Sequence, residues 1–273
     1  MLQYSVLASG STGNAIYIGT ERHHFLIDAG LSGKKVEDAL SKIGIGISEI
    51  NGVFITHEHD DHVKGIGVLA RKYKIPVYAN SNTLDSLPKS VGAIEESLIH
   101  RIDTGSILEF GPLAIESFPI SHDAKEPVGY VFYRDKYKVS LVTDLGYVSS
   151  KIKEKIKGSD ALIFEANHDI EMLRVSSYPW SIKQRILSDV GHLSNEAAGE
   201  ALAEIITNNT QQVLLAHLSK ENNLPELAHL AVRNILEDHG ITDKDIHLLR
   251  TYFDKPTDLY RLESHSNRSL ILK

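Results

Sequence analysis

The order of apolar and polar residues predicts an α/β (α+β) protein in which helices flank mixed β-sheets. Short apolar runs alternate with amphipathic stretches along the whole chain. The first third is rich in strand-like runs and strand–helix alternation returns later, which favours mixed sheets over a regular parallel array. Hydrophobic residues make up 42% and charged residues 24% of the 273 positions, the balance of a globular protein with a sizeable core. We expect a single domain over residues 1–273.

Apolar runs and helical spacing define the individual elements. Ten short runs predict strands, at residues 5–8, 15–18, 25–28, 53–56, 77–79, 115–120, 129–133, 139–143, 162–165 and 213–216. Apolar residues three and four apart predict helices at residues 36–43, 63–73, 197–205 and 225–240. Gly44 and Gly240 follow two of these helices, and Ser194 precedes a third as its expected N-cap.

The composition of the chain excludes several functional classes. Lys and Arg number 29 against 36 Asp and Glu, a net charge of −7, so overall charge does not favour nucleic-acid binding. A nucleic-acid substrate would require local basic patches or metal ions. The absence of cysteine excludes disulfides, thiolate metal sites and a cysteine nucleophile. Because no apolar run approaches the ~20 residues of a membrane span and no secretion signal is recognised, we expect a cytoplasmic protein with no membrane partner.

The central motif is the stretch Thr-His-Glu-His-Asp-Asp-His at positions 56–62, between an apolar strand and an amphipathic helix. Residues two apart on an extended chain point to the same side, so His57 and His59 can reach one cation. The chain then turns, and Asp61 and His62 face a second point nearby. A solvated, charge-rich loop is the alternative, but a random chain of this composition contains the motif only about twice in a thousand cases.

Three further potential ligands, His122, Asp144 and His217, each follow an apolar run. Strand ends converge on one rim in layered α/β folds. Each of these residues alone would more often be a turn or cap residue. Together with the stretch at 57–62, they predict one shared metal site.

This order of motifs resembles the metallo-β-lactamase superfamily over essentially the whole chain. The resemblance implies a four-layer αβ/βα sandwich of two mixed β-sheets flanked by helices, with a dinuclear metal site at one edge. It also implies that the first metal is bound by His57, His59 and His122, and the second by Asp61, His62 and His217, with Asp144 bridging. Asp28 matches a position that supports the metal loop without binding metal.

Three further stretches indicate a nuclease-like branch of the superfamily. Residues 191–194 (Gly-His-Leu-Ser) and 216–219 (Ala-His-Leu-Ser) resemble the late histidine motifs of the nuclease-like members. Residues 7–14 (Leu-Ala-Ser-Gly-Ser-Thr-Gly-Asn) resemble the YycJ/WalJ-type subfamily, which implies DNA exonuclease activity, and we expect them to form a hairpin turn near the active-site rim. The sequence therefore predicts a dinuclear metal-dependent phosphodiesterase acting on nucleic acid, specifically DNA.

The ligand types predict the chemistry. Two divalent ions ~3.5–4 Å apart can hold a hydroxide between them and stabilise the attacking and leaving oxygens of phosphoryl transfer. Imidazole and carboxylate ligands favour zinc, and manganese or iron also fit. Asp61 is the candidate general base or water-orienting residue. His192, beside the expected N-terminus of a helix, is the candidate for binding a non-bridging oxygen or protonating the leaving group; its alternative role is a local hydrogen bond in a capping loop.

Other interpretations stay open on the sequence alone. A glyoxalase II-like thioester hydrolase uses nearly the same ligands, although the mixed helix–strand pattern after His217 disfavours it. A phosphodiesterase for small cyclic phosphates also fits.

An aromatic and basic segment contains Arg174, Tyr178, Trp180 and Arg185. It is suited to stacking on or tracking a single strand, or else to packing its tryptophan over the core.

Overall fold

The computed structural model describes residues 1–262, which form two seven-stranded sheets with helices on their outer faces. The first sheet contains β1 (Leu2–Ala8), β2 (Ala15–Gly19), β3 (His24–Ile27), β4 (Gly52–Phe54), β5 (Val77–Ala79), β6 (Ile99–Arg101) and β14 (Tyr260–Leu262). Its strand order is β14-β1-β2-β3-β4-β5-β6. The pairs from β3 to β6 are parallel and the others are antiparallel, so this sheet is mixed.

The second sheet is mixed in the same way. It contains β7 (Ile107–Phe110), β8 (Leu113–Pro119), β9 (Val128–Arg134), β10 (Tyr137–Val142), β11 (Ala161–Glu165), β12 (Gln212–Ala216) and β13 (His247–Arg250). Its order is β13-β12-β11-β10-β9-β8-β7. The pairs from β7 to β10 are antiparallel and those from β10 to β13 are parallel.

Nine α-helices occur within the described residues. They are α1 (Gly33–Lys42), α2 (Asp60–Val63), α3 (Ile66–Tyr73), α4 (Ser81–Asp85), α5 (Ser150–Ile156), α6 (Ile170–Val175), α7 (Trp180–Ile186), α8 (Asn195–Ile205) and α9 (Pro225–Asp238). Short 3₁₀ turns span Ile47–Glu49, Lys89–Val91 and Glu96–Leu98. None of these helices is long and apolar enough to cross a membrane.

Three buried clusters bind the layers together, and they confirm the predicted four-layer sandwich. One lies between the two sheets, one between the first sheet and helices α1 and α3, and one between the second sheet and helices α5, α8 and α9. Strand β11 has an apolar sequence on both faces because both faces are buried. Ile163 packs between the sheets, whereas Leu162 and Phe164 face the helices.

All ten predicted strands are present, but several of them end early. The predicted strands 25–28, 53–56 and 139–143 stop at Ile27, Phe54 and Val142, because the residues that follow turn into loops. The four strands that the sequence analysis missed are β6, β7, β13 and β14, the two edges of each sheet. Edge strands are half-exposed and lack the apolar run that marks a central strand.

The predicted helix at 63–73 is wrong in its bounds, since it is two helices separated at Lys64 and Gly65. The Gly65 amide donates to the Ala29 carbonyl at 2.7 Å. A Cβ atom on Gly65 would lie 2.3 Å from the Leu31 carbonyl oxygen. This close approach holds the 57–62 motif against the loop that follows β3.

Phe132 supplies a test of the sandwich, since it is fully buried between the sheets. We expect Phe132→Ala to lower the free energy of unfolding by about 3–5 kcal/mol, because the substitution leaves a cavity in a packed core. Ile107→Ala, at a position 56% exposed on an edge strand, is the control and should cost less than about 0.5 kcal/mol. Urea unfolding of both variants measures the difference, and equal losses would contradict the observed packing.

Candidate metal centre

The ends of six strands meet at one edge of the sandwich and bring the polar residues of the site together. The residues concerned are Asp28 after β3, His57 after β4, His122 after β8, Asp144 after β10, Glu165 at the end of β11 and His217 after β12. All six are buried. The rigid sheets therefore fix the positions of side chains that are far apart in sequence.

Three of these residues adopt a left-handed backbone conformation, which side chains other than glycine rarely adopt. Asp28, Asp144 and His217 have φ values of 60°, 62° and 54°. Their amides are each held by an acceptor: the Phe54 carbonyl at 2.7 Å for Asp28, the Glu165 carboxylate at 3.2 Å for Asp144, and the Ser9 hydroxyl at 2.7 Å for His217. Such strain costs of the order of 1–3 kcal/mol per residue and concentrates here at one site.

The first group of ligand atoms consists of three imidazole nitrogens. His59 Nδ1 lies 3.1 Å from His57 Nε2 and 3.3 Å from His122 Nε2. The three nitrogens are close enough together to coordinate one ion.

The second group adjoins the first and adds carboxylates. Asp61 Oδ2 lies 3.5 Å from both His62 Nε2 and His217 Nε2. Asp144 sits between the groups, with Oδ1 at 3.3 Å from His217 Nε2 and 3.9 Å from His122 Nε2. Its Oδ2 is 3.5 Å from His62 Nε2. The structure thus brings all seven residues of the predicted ligand set into one cluster.

Asp28 and Thr56 orient the histidines of the loop at 57–62. Asp28 Oδ2 lies 2.7 Å from His62 Nδ1 and also accepts a hydrogen bond from the Thr56 hydroxyl at 2.8 Å. The Thr56 amide donates to Asp28 Oδ1 at 2.8 Å, and its hydroxyl is 3.0 Å from His57 Nδ1. Because Thr56 and Asp28 hydrogen-bond the Nδ1 atoms from outside the cluster, the Nε2 atoms of His57 and His62 point into it.

Glu165 has the same function on the opposite side, and the sequence analysis did not identify it as a site residue. Its Oε1 lies 2.9 Å from both His217 Nδ1 and His192 Nδ1, and its Oε2 accepts from the amides of Leu145 and Leu193. Burial raises the pKa of this carboxyl, but His192 and His217 outweigh it and lower the pKa to about 2. Glu165 is therefore a buried carboxylate with four hydrogen-bond partners or more.

The inward-facing atoms of the cluster fit a divalent cation. Within residues 1–262, Asp144 Oδ2 and His217 Nε2 are buried and have no hydrogen-bond partner. Burial lowers the pKa of the His217 imidazole, yet Asp144, Asp61 and Glu165 together raise it to about 10. The carboxylates thus draw positive charge into the cluster. Buried imidazole nitrogens and carboxylate oxygens without other partners are the donor set of divalent metal ions.

The opening loop (residues 9–14), which joins β1 to β2, contacts the cluster directly. The Asn14 side-chain amide lies 3.1 Å from His62 Nε2 and 3.4 Å from Asp61 Oδ2, while Ser9 holds the His217 amide. The loop is the predicted hairpin turn, but it lies against the site as well as near its rim. The cluster residues that Ser9 and Asn14 contact are 47 or more residues away in sequence, so no local pattern identified these contacts.

His192 lies at the outer side of the cluster, with 14% of its side chain exposed. Its Nδ1 contacts Glu165 and is 4.0 Å from Asp144 Oδ1. Its ring centroid is 5.1 Å from those of both His122 and His217. Nε2 has no hydrogen-bond partner within the described part of the chain, so it is the free nitrogen of this ring.

The aromatic and basic segment at 174–185 does not pack over the core through its tryptophan, because Trp180 is 67% exposed. Buried Lys183 holds the segment instead, donating to the carbonyls of Arg174 and Ser176 at 2.7 Å each. Arg185 pairs with Asp123, the residue after His122. The segment therefore borders the cluster and leaves its tryptophan in solvent.

Comparison with known proteins identifies the family. A family model described as a beta-lactamase superfamily domain matches residues 23–218. An exodeoxyribonuclease YycJ of Bacillus anthracis is 50% identical over 88% of this chain and 90% of its own. An exodeoxyribonuclease WalJ of Streptococcus pneumoniae is 47% identical over 86% and 88%. The crystal structure of the metallo-beta-lactamase fold protein YhfI from Bacillus subtilis superposes with a TM-score of 0.71 at 14% identity, covering 94% of this chain and 98% of that one. The chain therefore belongs to the metallo-β-lactamase superfamily, in the family of the YycJ and WalJ proteins.

Proposed function

We propose that this protein is a metal-dependent exodeoxyribonuclease that hydrolyses phosphodiester bonds in DNA. The observation that carries the proposal is the identity of 50% and 47% to two exodeoxyribonucleases over nearly their whole lengths. The cluster of buried imidazoles and carboxylates supports it, because phosphoryl transfer with divalent ions needs this set of ligands. The enzyme would act on DNA in the cytoplasm.

The proposed ligand assignment follows the distances within the cluster. One cation would be held by His57, His59 and His122 and the other by Asp61, His62 and His217. Asp144 lies beside His62, His122 and His217 and would be shared between the two. The short separations of the nitrogen and oxygen atoms support this division, as do the outward hydrogen bonds that hold the rings. Five imidazoles and two carboxylates without a thiolate favour zinc, and manganese and iron are compatible with the same ligands.

The chemical roles follow from the same geometry. Two divalent cations, when bound, activate a water nucleophile and stabilise the charge that develops on the attacking and leaving oxygens. Asp61 is 26% exposed at its side chain, so its carboxylate can both contribute a ligand oxygen and orient the attacking water. Glu165 fixes the His192 ring, whose free Nε2 can bind a phosphate oxygen or give a proton to the leaving group.

Replacement of the two ligand carboxylates tests the ligand assignment. We expect Asp61→Ala and Asp144→Ala to lower exonuclease activity by roughly 10²- to 10⁴-fold and to bring the metal content below two ions per chain. Asp60→Ala is the matched control, because Asp60 is exposed and, within residues 1–262, its side chain accepts a hydrogen bond from Ser90 outside the cluster. Activity assays and elemental analysis of the purified variants measure both effects. Full activity with two bound ions in either ligand variant would refute the assignment.

Metal removal and a panel of substrates test the reaction. Dialysis against a chelator should abolish digestion of end-labelled DNA, and zinc or manganese should restore it, because the proposed reaction needs the cations to activate water and to stabilise the leaving oxygen. The same protein should degrade DNA in preference to RNA of the same sequence. Digestion of RNA alone would overturn the DNA assignment, and hydrolysis of a thioester or a cyclic phosphate alone would favour the other phosphodiesterase or thioesterase interpretations.

Glu165 allows a test of the outer hydrogen bonds. We expect Glu165→Gln to weaken metal binding about 10- to 100-fold, as is typical when a partner of a ligating histidine is changed. Glu116→Gln is the control. Glu116 is a largely buried carboxylate on β8, outside the cluster, and it pairs with Lys155 of helix α5. Competition with a chromophoric chelator measures the affinity for zinc. Unchanged affinity in the Glu165 variant would show that this carboxylate does not support the metal ligands.

A further inference from the structure

A second group of side chains lies beside the opening loop and takes no part in the metal cluster. This basic–aromatic patch consists of Lys220, Tyr252, Phe253 and Lys255. Lys220 Nζ lies 5.4 Å from the centre of the Phe253 ring, and Lys255 Nζ lies 4.0 Å from the centre of the Tyr252 ring. Phe253 is 47% exposed. The patch therefore presents an apolar ring and two ammonium groups to solvent.

Only three lysines within residues 1–262 form an ion pair, and the two lysines of the patch are not among them. Lys74, Lys153 and Lys155 each form an ion pair with a glutamate. Within residues 1–262, Lys220 and Lys255 form none, although Glu221 and Asp254 are their neighbours in sequence. In a protein with a net charge of −7, each of these two exposed ammonium groups is available to an anion.

The basic–aromatic patch is continuous with the metal cluster through the opening loop. The Tyr252 carbonyl accepts a hydrogen bond from the Ser9 amide at 2.9 Å, and the Ser9 hydroxyl holds the His217 amide at 2.7 Å. A Cβ atom on Gly10 would lie 3.7 Å from Phe253 Cβ. Since Lys220 is three residues after His217, their Cα atoms lie within about 11 Å. That is roughly three nucleotides at the ~3.4 Å rise of a DNA strand.

Such a patch is suited to bind a ligand with alternating phosphates and exposed base faces. Ammonium groups bind the phosphates of a single strand, and aromatic rings stack on its bases regardless of sequence. A protein partner of acidic surface would use the lysines but not the exposed ring beside the cluster. The connection through the opening loop puts the patch within reach of a strand that is bound at the metal cluster.

We propose that the basic–aromatic patch binds the DNA strand a few nucleotides from the cleaved phosphodiester, with Lys220 and Lys255 on phosphates and Phe253 against a base. The inference rests on the proposed function and adds to it the surface that holds the substrate strand. It assigns the patch to substrate affinity, whereas the metal cluster carries out the hydrolysis.

Fluorescence anisotropy tests the proposal. It measures the binding of a single-stranded oligonucleotide, with phosphorothioate linkages to slow its hydrolysis, at several salt concentrations. The double variant Lys220→Ala/Lys255→Ala should raise Kd about 10-fold and reduce the slope of log K against log salt by about 1.4, since each phosphate contact contributes about 0.7 on a single strand. Phe253→Ala should raise Kd roughly 5- to 10-fold through lost stacking and leave the salt slope as it is.

Lys136→Ala is the matched control, because Lys136 also lies 5.4 Å from an aromatic ring, that of Tyr137. It belongs to the β9–β10 turn, at the end of the strands opposite the metal cluster. This variant should bind the oligonucleotide as the unmodified protein does. An equal loss in the control would show that the patch has no special part in binding and would overturn the proposal.

A small substrate separates this proposal from the proposed function. In the patch variants, kcat/KM for DNA should fall about 10-fold relative to kcat/KM for bis(p-nitrophenyl) phosphate, which is too small to reach the patch. An unchanged ratio with an unchanged salt slope would overturn the patch and leave the nuclease assignment intact. Equal loss on both substrates would also overturn it, because the lysines would then act through the metal cluster. Absence of DNA digestion by the unmodified protein would instead refute the proposed function.

Discussion

The placement of Asp144 is the constraint on which the rest of this structure depends. Its side chain is 3% exposed and lies among the imidazoles of His62, His122 and His217. A buried carboxylate costs several kcal/mol unless opposite charge compensates it. The surrounding imidazoles supply that compensation, and the pKa of the Asp144 carboxyl is accordingly lowered well below its usual value. The pKa of His217 rises for the same reason, because the cluster of carboxylates attracts positive charge from any available source.

The scaffold holds this arrangement by fixing the ends of strands. Two mixed sheets packed face to face place six strand ends at one edge, and left-handed turns at Asp28, Asp144 and His217 direct the side chains inward. Glu165 then holds two histidines, His217 after β12 and His192 in the loop before α8. The strain and the buried charge are local, whereas three apolar clusters provide the stability that offsets them. The packing of the layers therefore sets most of the ligand geometry, and a few hydrogen bonds within the loops complete it.

Much of this was accessible from the sequence because central strands and strand-end ligands leave local signals. Apolar runs marked every strand that is buried on both faces, and the polar residues after those runs marked His122, Asp144 and His217. The edge strands β6, β7, β13 and β14 lacked such runs, and the break at Gly65 depends on a carbonyl of a distant loop. Glu165 ended a predicted strand as the other residues did, so the same rule would have found it. The motif at residues 7–14 placed Ser9 and Asn14 near the rim of the site, but it did not show which cluster residues they contact, since those residues are remote in sequence.

Diffraction at the zinc absorption edge is the most direct test of the central claim, that the cluster holds two cations with Asp144 between them. Crystals of the zinc-loaded protein should show two anomalous peaks about 3.5–4 Å apart. One peak should lie beside His57, His59 and His122, and the other beside Asp61, His62 and His217. A single peak, or peaks remote from Asp144, would contradict the account.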